Sequence, residues 1–344
     1  MELCIGNIKI GKEYTPLVIP EIGINHGGNL KVAMKMVDAA YAAGARLVKH
    51  QTHVIEDEMS PKAKDVIPGN SEKSIYDVMA ECALCESDER ELKEYVESLG
   101  MEFLSTPFSR AAAERLERMD VKAYKIGSGE LNNYPLLRHI AEFRKPMIIS
   151  TGMNGISNIR KAIEIVNEYN TPFALLHTTN LYPTKPHQVR LGAMQEMMQV
   201  FPDALIGLSD HTLNNNACIA AIALGGCIVE RHFTDSKDRI GNDIICSMDG
   251  KELKDLLQAA KEIWMMRGGS KQSLPEEQVT IDFAFATIVS IADIQQGELL
   301  TKDNIWVKRP GIGGILAEEY ENILGRRAKV DIPKDVHLCK AMID

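Results

Sequence analysis

The chain has 344 residues, of which 45% are hydrophobic and 25% are charged. This composition is typical of a globular protein with a large core and a small second domain, and it excludes disordered, collagen-like and disulfide-scaffold classes. Acidic residues outnumber basic ones by 48 to 39, which gives a net charge of −9. Because no long basic run accompanies this charge, nucleic acid is not an expected partner, whereas a few cations focused in a pocket would still bind a small anion.

No membrane or secretory segment is expected. The longest apolar stretch, 217–230, is shorter than the ~20 residues that cross a bilayer, and the first residues do not form a secretory signal. The seven cysteines are an odd number, which is typical of reduced thiols, so we expect a cytoplasmic protein. Cys82 and Cys85 form a single CxxC pair, which is more typical of half-buried thiols in a helical segment than of a zinc or redox site.

In chain order, the first predicted element is a hairpin over residues 5–14, turning at Gly11 and Lys12 and closing the bottom of the structure that follows. Eight short runs rich in Val and Ile come next, and each ends in a polar cluster, as expected of buried strands. These predicted strands are 17–25, 47–52, 103–108, 123–129, 146–151, 173–178, 205–210 and 227–233.

Helical patterns separate the strands, for example 30–43 and 110–119, and Gly44 and Gly100 stand where helix C-caps are expected. Strict alternation of strand and helix predicts a parallel sheet, and eight repeats in roughly 250 residues are typical of a (β/α)8 TIM barrel. A doubly wound open sheet is the alternative, but no Gly-x-Gly-x-x-Gly turn follows the first strand.

The C-terminal part of the chain has a different pattern. A predicted helix over 250–267 is followed by a polar Gly/Ser/Pro stretch and then by short strands and turns. We therefore predict a TIM-barrel domain at 1–268, a linker at 269–285 and a small β-rich domain at 286–344. A domain of that size has a marginal core, so we expect it to dock against another surface.

Polar residues close the predicted strands, and in a parallel barrel they should converge at one mouth. A Ser or Thr at such a position is more often a helix N-cap than a ligand. Lys49 and Lys125, however, interrupt apolar runs, and a buried ammonium without a partner costs several kcal/mol. Each lysine therefore meets an anion, either a phosphate or carboxylate of a ligand or an internal carboxylate such as Glu21 or Glu230.

His211 and His232 close neighbouring predicted strands, so their rings could reach one ion. Two imidazoles completed by oxygen ligands from water and substrate suit a labile divalent metal such as Mn²⁺ better than structural zinc. His26, His50 and His53 are further candidates. The alternation of side chains along the second strand, however, turns His50 away from the face shared by Lys49 and Gln51.

With these residues identified, the sequence resembles the N-acetylneuraminate (sialic acid) synthase family, which condenses phosphoenolpyruvate with N-acetylmannosamine. The resemblance covers essentially the whole chain, including a tail that is similar to the family's antifreeze-like (SAF, β-clip) domain. It is carried, in order, by EIGINHGG from Glu21, VKHQTH from Val48, STPFS from Ser105, YKIGSGE from Tyr124, STGM from Ser150, HTTNLYPT from His177, GLSDHT from Gly207, ERHFTD from Glu230 and WVKRPGIGG from Trp306.

The resemblance implies a role for each matching residue. His211 and His232 would bind the divalent metal, with Mn²⁺ expected first and Mg²⁺ or Co²⁺ as alternatives. Arg309 would reach the sugar in the barrel of a partner chain, in a domain-swapped homodimer. Phosphoenolpyruvate would be held by Lys49, Thr106, Lys125, Ser128, Asn180 and Ser209, and the open-chain sugar by Gln51, Glu130, Tyr182, Asp243 and Phe283.

The implied reaction joins carbon three of phosphoenolpyruvate to the sugar's aldehyde carbon, after which water adds at carbon two and phosphate leaves. Glu21 would position or activate that water, although a role as the partner of Lys49 is an equal alternative. Leu131 and Asn242 depart from residues common in the family, and Asn242 affects the loop that presents Asp243. Neither change removes a proposed ligand.

Other interpretations stay open at this point. Legionaminate, pseudaminate and N-acylneuraminate-9-phosphate synthases share the barrel motifs. The resemblance favours the sialic acid branch through the ICSMD run after Asp243 and because the sequence has no added basic cluster for a sugar phosphate. A Schiff-base aldolase would use Lys125 as a nucleophile on the same fold. A sugar-binding module without catalysis is the third interpretation, but it leaves two lysines and a histidine pair unexplained.

Overall fold

The structure is a computed structural model that describes residues 2–69 and 71–344. Its internal contacts divide it into two compact units, Met1–Gly268 and Gly269–Asp344. The strands of the first unit are β1 Glu2–Ile5, β2 Ile8–Gly11, β3 Leu17–Gly23, β4 Leu47–Thr52, β5 Glu102–Pro107, β6 Tyr124–Ile126, β7 Met147–Ser150, β8 Phe173–Thr178, β9 Leu205–Asp210 and β10 Ile228–His232.

Helices follow most of these strands. They are α1 Leu30–Ala43, α2 Ile55–Glu58, α3 Ile75–Cys82, α4 Glu86–Ser98, α5 Arg110–Arg118, α6 Tyr134–Glu142, α7 Ile156–Glu168, α8 Leu191–Val200, α9 Asn216–Ala223 and α10 Gly250–Met266. The second unit contains α11 Gln278–Ala284, β11 Thr287–Ser290, β12 Ile305–Lys308 and α12 Tyr320–Ile323.

Strands β3 to β10 form a closed barrel in chain order, in which β10 pairs with β3 and neighbouring strands are parallel. All eight predicted strands are present, and the predicted TIM barrel is confirmed. The open-sheet alternative is wrong, because ladder hydrogen bonds between β10 and β3 leave no free edge.

The predicted N-terminal hairpin exists, but its turn was placed wrongly. Strands β1 and β2 pair with Ile5 opposite Ile8, so the chain turns at Gly6 and Asn7. Gly6 has a φ of +52°, and a Cβ there would collide with the carboxylate of Glu102, which suits glycine at this position. The amide of Asn7 donates to the same carboxylate at 3.0 Å. The hairpin buries Leu3, Ile5, Ile8 and Ile10 in one cluster with the inward side chains at the lower end of the barrel.

Alternation along each strand decides which side chains enter the barrel. On β4, Leu47 joins the cluster inside the barrel while Val48 packs in the layer between strands and helices. By the same period of two, Lys49 and Gln51 point inward. His50 points outward, where its Nδ1 lies 3.2 Å from a carboxylate oxygen of the buried Glu89 on α4. The prediction that His50 faces away from Lys49 is therefore confirmed.

The helices bury one apolar stripe each against the strands. Helix α1 begins at an Asn29 cap whose side chain accepts from the Val32 amide, and it ends at Gly44 in the left-handed conformation with a φ of +99°. Its buried residues, Ala33, Met36, Val37 and Ala40, recur at three- and four-residue spacing. Helix α10 begins with a reciprocal capping box between Asp249 and Glu252.

In the second unit, β11 and β12 pair antiparallel, and isolated bridges such as Val289 to His337 and Ile294 to Ile332 tie the turns together. A separate core of its own includes Ile288, Leu300 and Ile305. The stretch predicted as a linker contains α11, whose residues are exposed or half-buried.

Among the described residues, no helix combines the length and apolar character needed to cross a bilayer. All seven cysteines lie in the described ranges, and they are free.

Candidate active site

A cavity of about 180 Å³ opens at the carboxyl ends of the barrel strands. It brings together twelve of the residues singled out from the sequence: Glu21, Lys49, Gln51, Thr106, Lys125, Ser128, Glu130, Asn180, Tyr182, Ser209, His211 and His232. Residues that the sequence analysis did not assign as ligands also line it, namely Phe108, Ser150, Thr178 and Glu230. Glu230 was predicted only as a possible internal partner of the lysines, whereas Phe108 carried no signal in the sequence.

Lys49 lies between two buried carboxylates. Its Nζ is 2.6 Å from Oε1 of Glu21 and 3.0 Å from Oε1 of Glu230, and all three side chains are at most 4% exposed. Burial acts to raise the pKa of Glu21, but the charges of Lys49 and His232, with hydrogen bonds from Lys49 and Gln51, together outweigh it and hold that pKa well below its usual range. Burial likewise acts to lower the pKa of Lys49, and the two carboxylates raise it instead. Lys49 and Glu21 are therefore both charged, and the internal ion pair left open by the sequence is present.

Lys125 has fewer close anionic partners than Lys49. Its Nζ donates to the Ser150 hydroxyl at 2.6 Å and to the Ile126 carbonyl at 3.0 Å, while Oε1 of Glu230 lies 3.7 Å away. Burial lowers the pKa of Lys125 to about 8, because the partial compensation by Glu230 does not offset the lost hydration. Most Lys125 side chains thus remain cationic at neutral pH and have room for a further anionic partner.

Several polar atoms around the two lysines lack partners. Oε2 of Glu230 and Oδ1 of Asn180 are buried without a hydrogen bond. The neighbouring Gly152 has to be glycine, because a Cβ there would collide with Asn180, and its amide donates to the Ser128 hydroxyl at 3.0 Å. Buried polar atoms without partners are costly, so this part of the cavity is arranged for a polar ligand.

His211 and His232 face one another at the other side of the cavity, with ring centroids 5.4 Å apart. Nδ1 of His211 is 2.9 Å from the Thr179 carbonyl, so this nitrogen donates its proton there and Nε2 keeps a lone pair. Burial, reinforced by the charge of His232, lowers the pKa of His211 to about 3. A neutral imidazole with a fixed tautomer is the form that ligates metals.

The atoms around His232 show which kind of metal site His211 and His232 could form. Its Nδ1 is buried without a hydrogen bond, and Oδ2 of Asp243 lies 3.9 Å from it. Oε2 of Glu21 lies 3.8 Å from Nε2 of His232. Within residues 2–69 and 71–344, no group of three or more His, Cys, Asp or Glu side chains is arranged around one point. The two imidazoles therefore fit a cation that takes its remaining ligands from water and substrate, and they do not fit a structural zinc site.

Among the other predicted residues, Tyr182 and Glu130 line the cavity, whereas Asp243, Phe283 and Arg309 do not. Tyr182 packs its ring on His211, with centroids 4.2 Å apart. Asp243 stands at the start of the short 3-10 turn Ile244–Cys246. Burial raises the pKa of Asp243. Glu130 lines the cavity, and burial, reinforced by Glu58, raises its pKa to about 7. Phe283 and Arg309 belong to the second unit and are exposed there, so their contacts with a sugar stay predictions.

Fold and site together define a (β/α)8-barrel enzyme whose mouth combines cations, hydroxyls and two facing imidazoles. The NeuB family matches residues 36–272 of the chain, and the SAF domain matches residues 286–344. The chain therefore belongs to the NeuB family of sialic acid synthases and carries a SAF domain, as the sequence resemblance predicted.

Individual relatives agree with this family but are named for different products. The chain is 34% identical to the N,N'-diacetyllegionaminic acid synthase of Campylobacter jejuni, over 93% of this chain and 97% of that protein. It is 32% identical to the human N-acetylneuraminate-9-phosphate synthase, over 100% and 97% of the two chains. The solved structure of an N-acetylneuraminic acid (sialic acid) synthetase from Leptospira borgpetersenii in complex with citrate is 29% identical, with a TM-score of 0.75 over 82% of this chain and 95% of that one.

Proposed function

We propose that this chain is an N-acetylneuraminate synthase, which converts phosphoenolpyruvate, N-acetylmannosamine and water into N-acetylneuraminate and phosphate. The observation that carries the proposal is the convergence of Lys49 and Lys125 with the facing pair of His211 and His232 in one small cavity. Legionaminate, pseudaminate and N-acylneuraminate-9-phosphate synthesis are the alternatives, because the relatives include enzymes named for each of these products.

In this proposal the two lysines bind the phosphate and carboxylate of phosphoenolpyruvate, with hydrogen bonds from Thr106, Ser128, Asn180 and Ser209. An arriving anion would bind the incompletely paired Lys125. It would also compete with the two glutamates for Lys49. The sugar lies toward Gln51, Glu130, Tyr182 and Asp243. A new bond joins carbon three of phosphoenolpyruvate to the aldehyde carbon, water adds at carbon two, and the bond from carbon two to the phosphate oxygen breaks.

His211 and His232 would hold a divalent metal, Mn²⁺ in the first instance, with Mg²⁺ and Co²⁺ as alternatives. When bound, such an ion supplies Lewis-acid polarisation of a carbonyl oxygen. Glu21 stays ionised beside Lys49, and a carboxylate with so low a pKa is a weak base. We therefore assign Glu21 the role of accepting a hydrogen bond from the attacking water and orienting it, rather than removing its proton.

The test measures phosphate release with Mn²⁺ and phosphoenolpyruvate while the acceptor sugar is varied. N-acetylmannosamine, its 6-phosphate and a 2,4-diacetamido-trideoxyhexose are compared at equal concentrations. Release with N-acetylmannosamine alone supports the proposal. Release only with one of the other sugars keeps the chemistry and assigns the chain to a sister activity, and release with none of them contradicts the proposal.

We further propose a homodimer in which the tail of each chain contributes Arg309 to the barrel of its partner. Exposed apolar side chains surround the barrel mouth in the loops after β4, β7, β8, β9 and β10, and surfaces of this kind mark protein contacts. These side chains are Val66, Ile67, Met153, Leu181, Leu213, Ile240 and Ile245.

Replacing Arg309 with alanine is expected to raise the KM for the sugar about tenfold, with little effect on the KM for phosphoenolpyruvate, because only sugar contacts are lost. Lys302→Ala, an exposed change in the same domain, is the control. Co-expression of Arg309→Ala chains with His232→Ala chains tests the exchange itself. Mixed dimers would each contain one intact site, so about one quarter of the wild-type activity should return at low sugar concentration. An unchanged sugar KM would show that the tail does not reach the site.

A further inference from the structure

His53 lies beside the candidate active site, in the loop after β4, and does not line the cavity. Its ring is buried and stacked on Phe108, with centroids 4.5 Å apart and planes inclined by 11°. Nδ1 of His53 is 2.8 Å from Oε2 of Glu58, and Nε2 is 3.3 Å from Oε1 of Gln51. The imidazole therefore bridges the carboxylate of Glu58 on α2 and a side chain of the site.

The hydrogen bonds of Gln51 decide which way its amide points. Nε2 of Gln51 donates to Oε1 of Glu21 at 2.7 Å. Because Oε1 of Glu21 also accepts from the ammonium of Lys49 at 2.6 Å, this oxygen only accepts, so the NH2 group of Gln51 must face Glu21 and the carbonyl oxygen must face His53. Nε2 of His53 therefore has to carry a proton.

The other ring nitrogen faces a carboxylate, which also accepts when it is ionised. A neutral imidazole with its proton on Nε2 would set a lone pair on Nδ1 against the oxygen of Glu58. A second proton on Nδ1 removes this conflict. A carboxylic acid is ordinarily a stronger acid than an imidazolium, so the shared proton belongs on the ring.

Two other titratable groups lie near His53. Glu130 is near enough for the charge of His53 to oppose the rise in its pKa to about 7. His26 is also near, and burial, followed by the charge of His50, lowers its pKa to about 3. His26 is therefore neutral near pH 7, and Glu58 supplies the direct countercharge to His53.

We propose that His53, kept as an imidazolium by Glu58, is a positioning residue that fixes the amide of Gln51. With its orientation fixed, Gln51 holds Glu21 through one N–H and keeps the other N–H available to the acceptor sugar. The role of the sugar rests on the proposed function, whereas the protonation of His53 and the orientation of Gln51 do not.

The first experiment measures the protonation of His53 directly, by imidazole ¹⁵N NMR of the protein without metal or substrates. His53→Phe keeps an aromatic ring on Phe108 and assigns the signal by its loss, and the exposed His187→Ala is the matched control. Both nitrogens of His53 should show imidazolium shifts at neutral pH. A neutral His53 signal at neutral pH would overturn the proposal.

The second experiment measures the KM for each substrate at about pH 8, where Glu130, with a pKa of about 7, is mostly ionised. His53→Phe is expected to raise the sugar KM about tenfold and to change the phosphoenolpyruvate KM less than about twofold, because only the amide of Gln51 loses its fixed orientation. A merely structural role would raise both constants or lower kcat alone. Equal changes in both KM values would contradict the proposal.

Glu58→Gln is the conservative variant that isolates the charge. The new amide can donate to Nδ1 of a neutral ring, whose Nε2–H still donates to Gln51. Its sugar KM should therefore stay within about twofold of the wild-type value. The loss of the Glu58 charge also lowers the pKa of Glu130, but at about pH 8 Glu130 is mostly ionised in both proteins, so this change does not affect the comparison. If no sugar supports phosphate release, the proposed function fails while the NMR result still decides the state of His53.

Discussion

Replacing Lys49 with methionine is expected to abolish turnover and to destabilise the protein by about 3–5 kcal/mol at neutral pH. The change leaves Glu21 and Glu230 buried side by side, and both carboxylates lose the ammonium that lies 2.6 and 3.0 Å from them. Urea unfolding of the metal-free protein measures the effect. The exposed Lys251→Met, which breaks only a surface pair with Asp255, is the control and should leave the unfolding midpoint unchanged.

The pH dependence of the difference in unfolding free energy between the wild type and Lys49→Met shows whether lost charge is its cause. The folded pKa of Glu21 is depressed in the wild type, so its contribution to stability is present above its unfolded pKa and is lost as the pH falls through the folded one. Without Lys49, only His232 and the hydrogen bond from Gln51 still oppose the effect of burial on Glu21, so the pKa of Glu21 rises. The variant then gains protons in the folded state, so the difference in unfolding free energy should narrow between pH 7 and about pH 5. A difference independent of pH would indicate lost packing instead of lost charge.

Replacing His232 with alanine is expected to weaken Mn²⁺ binding at least about 100-fold and to abolish turnover. One of the two imidazoles that face each other across 5.4 Å is then missing, and the described residues offer no third His, Cys, Asp or Glu around the same point. Titration of Mn²⁺ by electron paramagnetic resonance measures the affinity without any need for activity.

Two comparisons make the His232 result specific. His187→Ala removes an exposed imidazole and should leave Mn²⁺ binding unchanged. His211→Ala should match His232→Ala, because the two rings would share one ion. Activity of His232→Ala without added metal, or an unchanged Mn²⁺ affinity, would show that the ligand assignment is wrong.

Local patterns were sufficient to predict the barrel. The eight Val- and Ile-rich runs became β3 to β10, and the three- and four-residue spacing within 30–43 became α1. Alternation along β4 predicted that His50 points to the opposite face from Lys49, because the period of two is set by the backbone.

The hairpin turn was misplaced because Gly11 and Lys12 looked as suitable for a turn as Gly6 and Asn7. The choice depends on Glu102, which is 95 residues away in sequence and binds the Asn7 amide.

The sequence by itself determined the fold class, the family and most residues of the cavity, because those depend on side-chain period, on the ends of strands and on motifs within single segments. Only the tertiary structure decided the charge states and pairings within the site. Lys49 is shared by Glu21 and Glu230 from two other strands, and the amide of Gln51 is oriented from both sides by Glu21 and His53. Such pairings depend on distances of a few ångströms between groups far apart in the chain, and on burial that removes water from them, and neither quantity is contained in a local pattern.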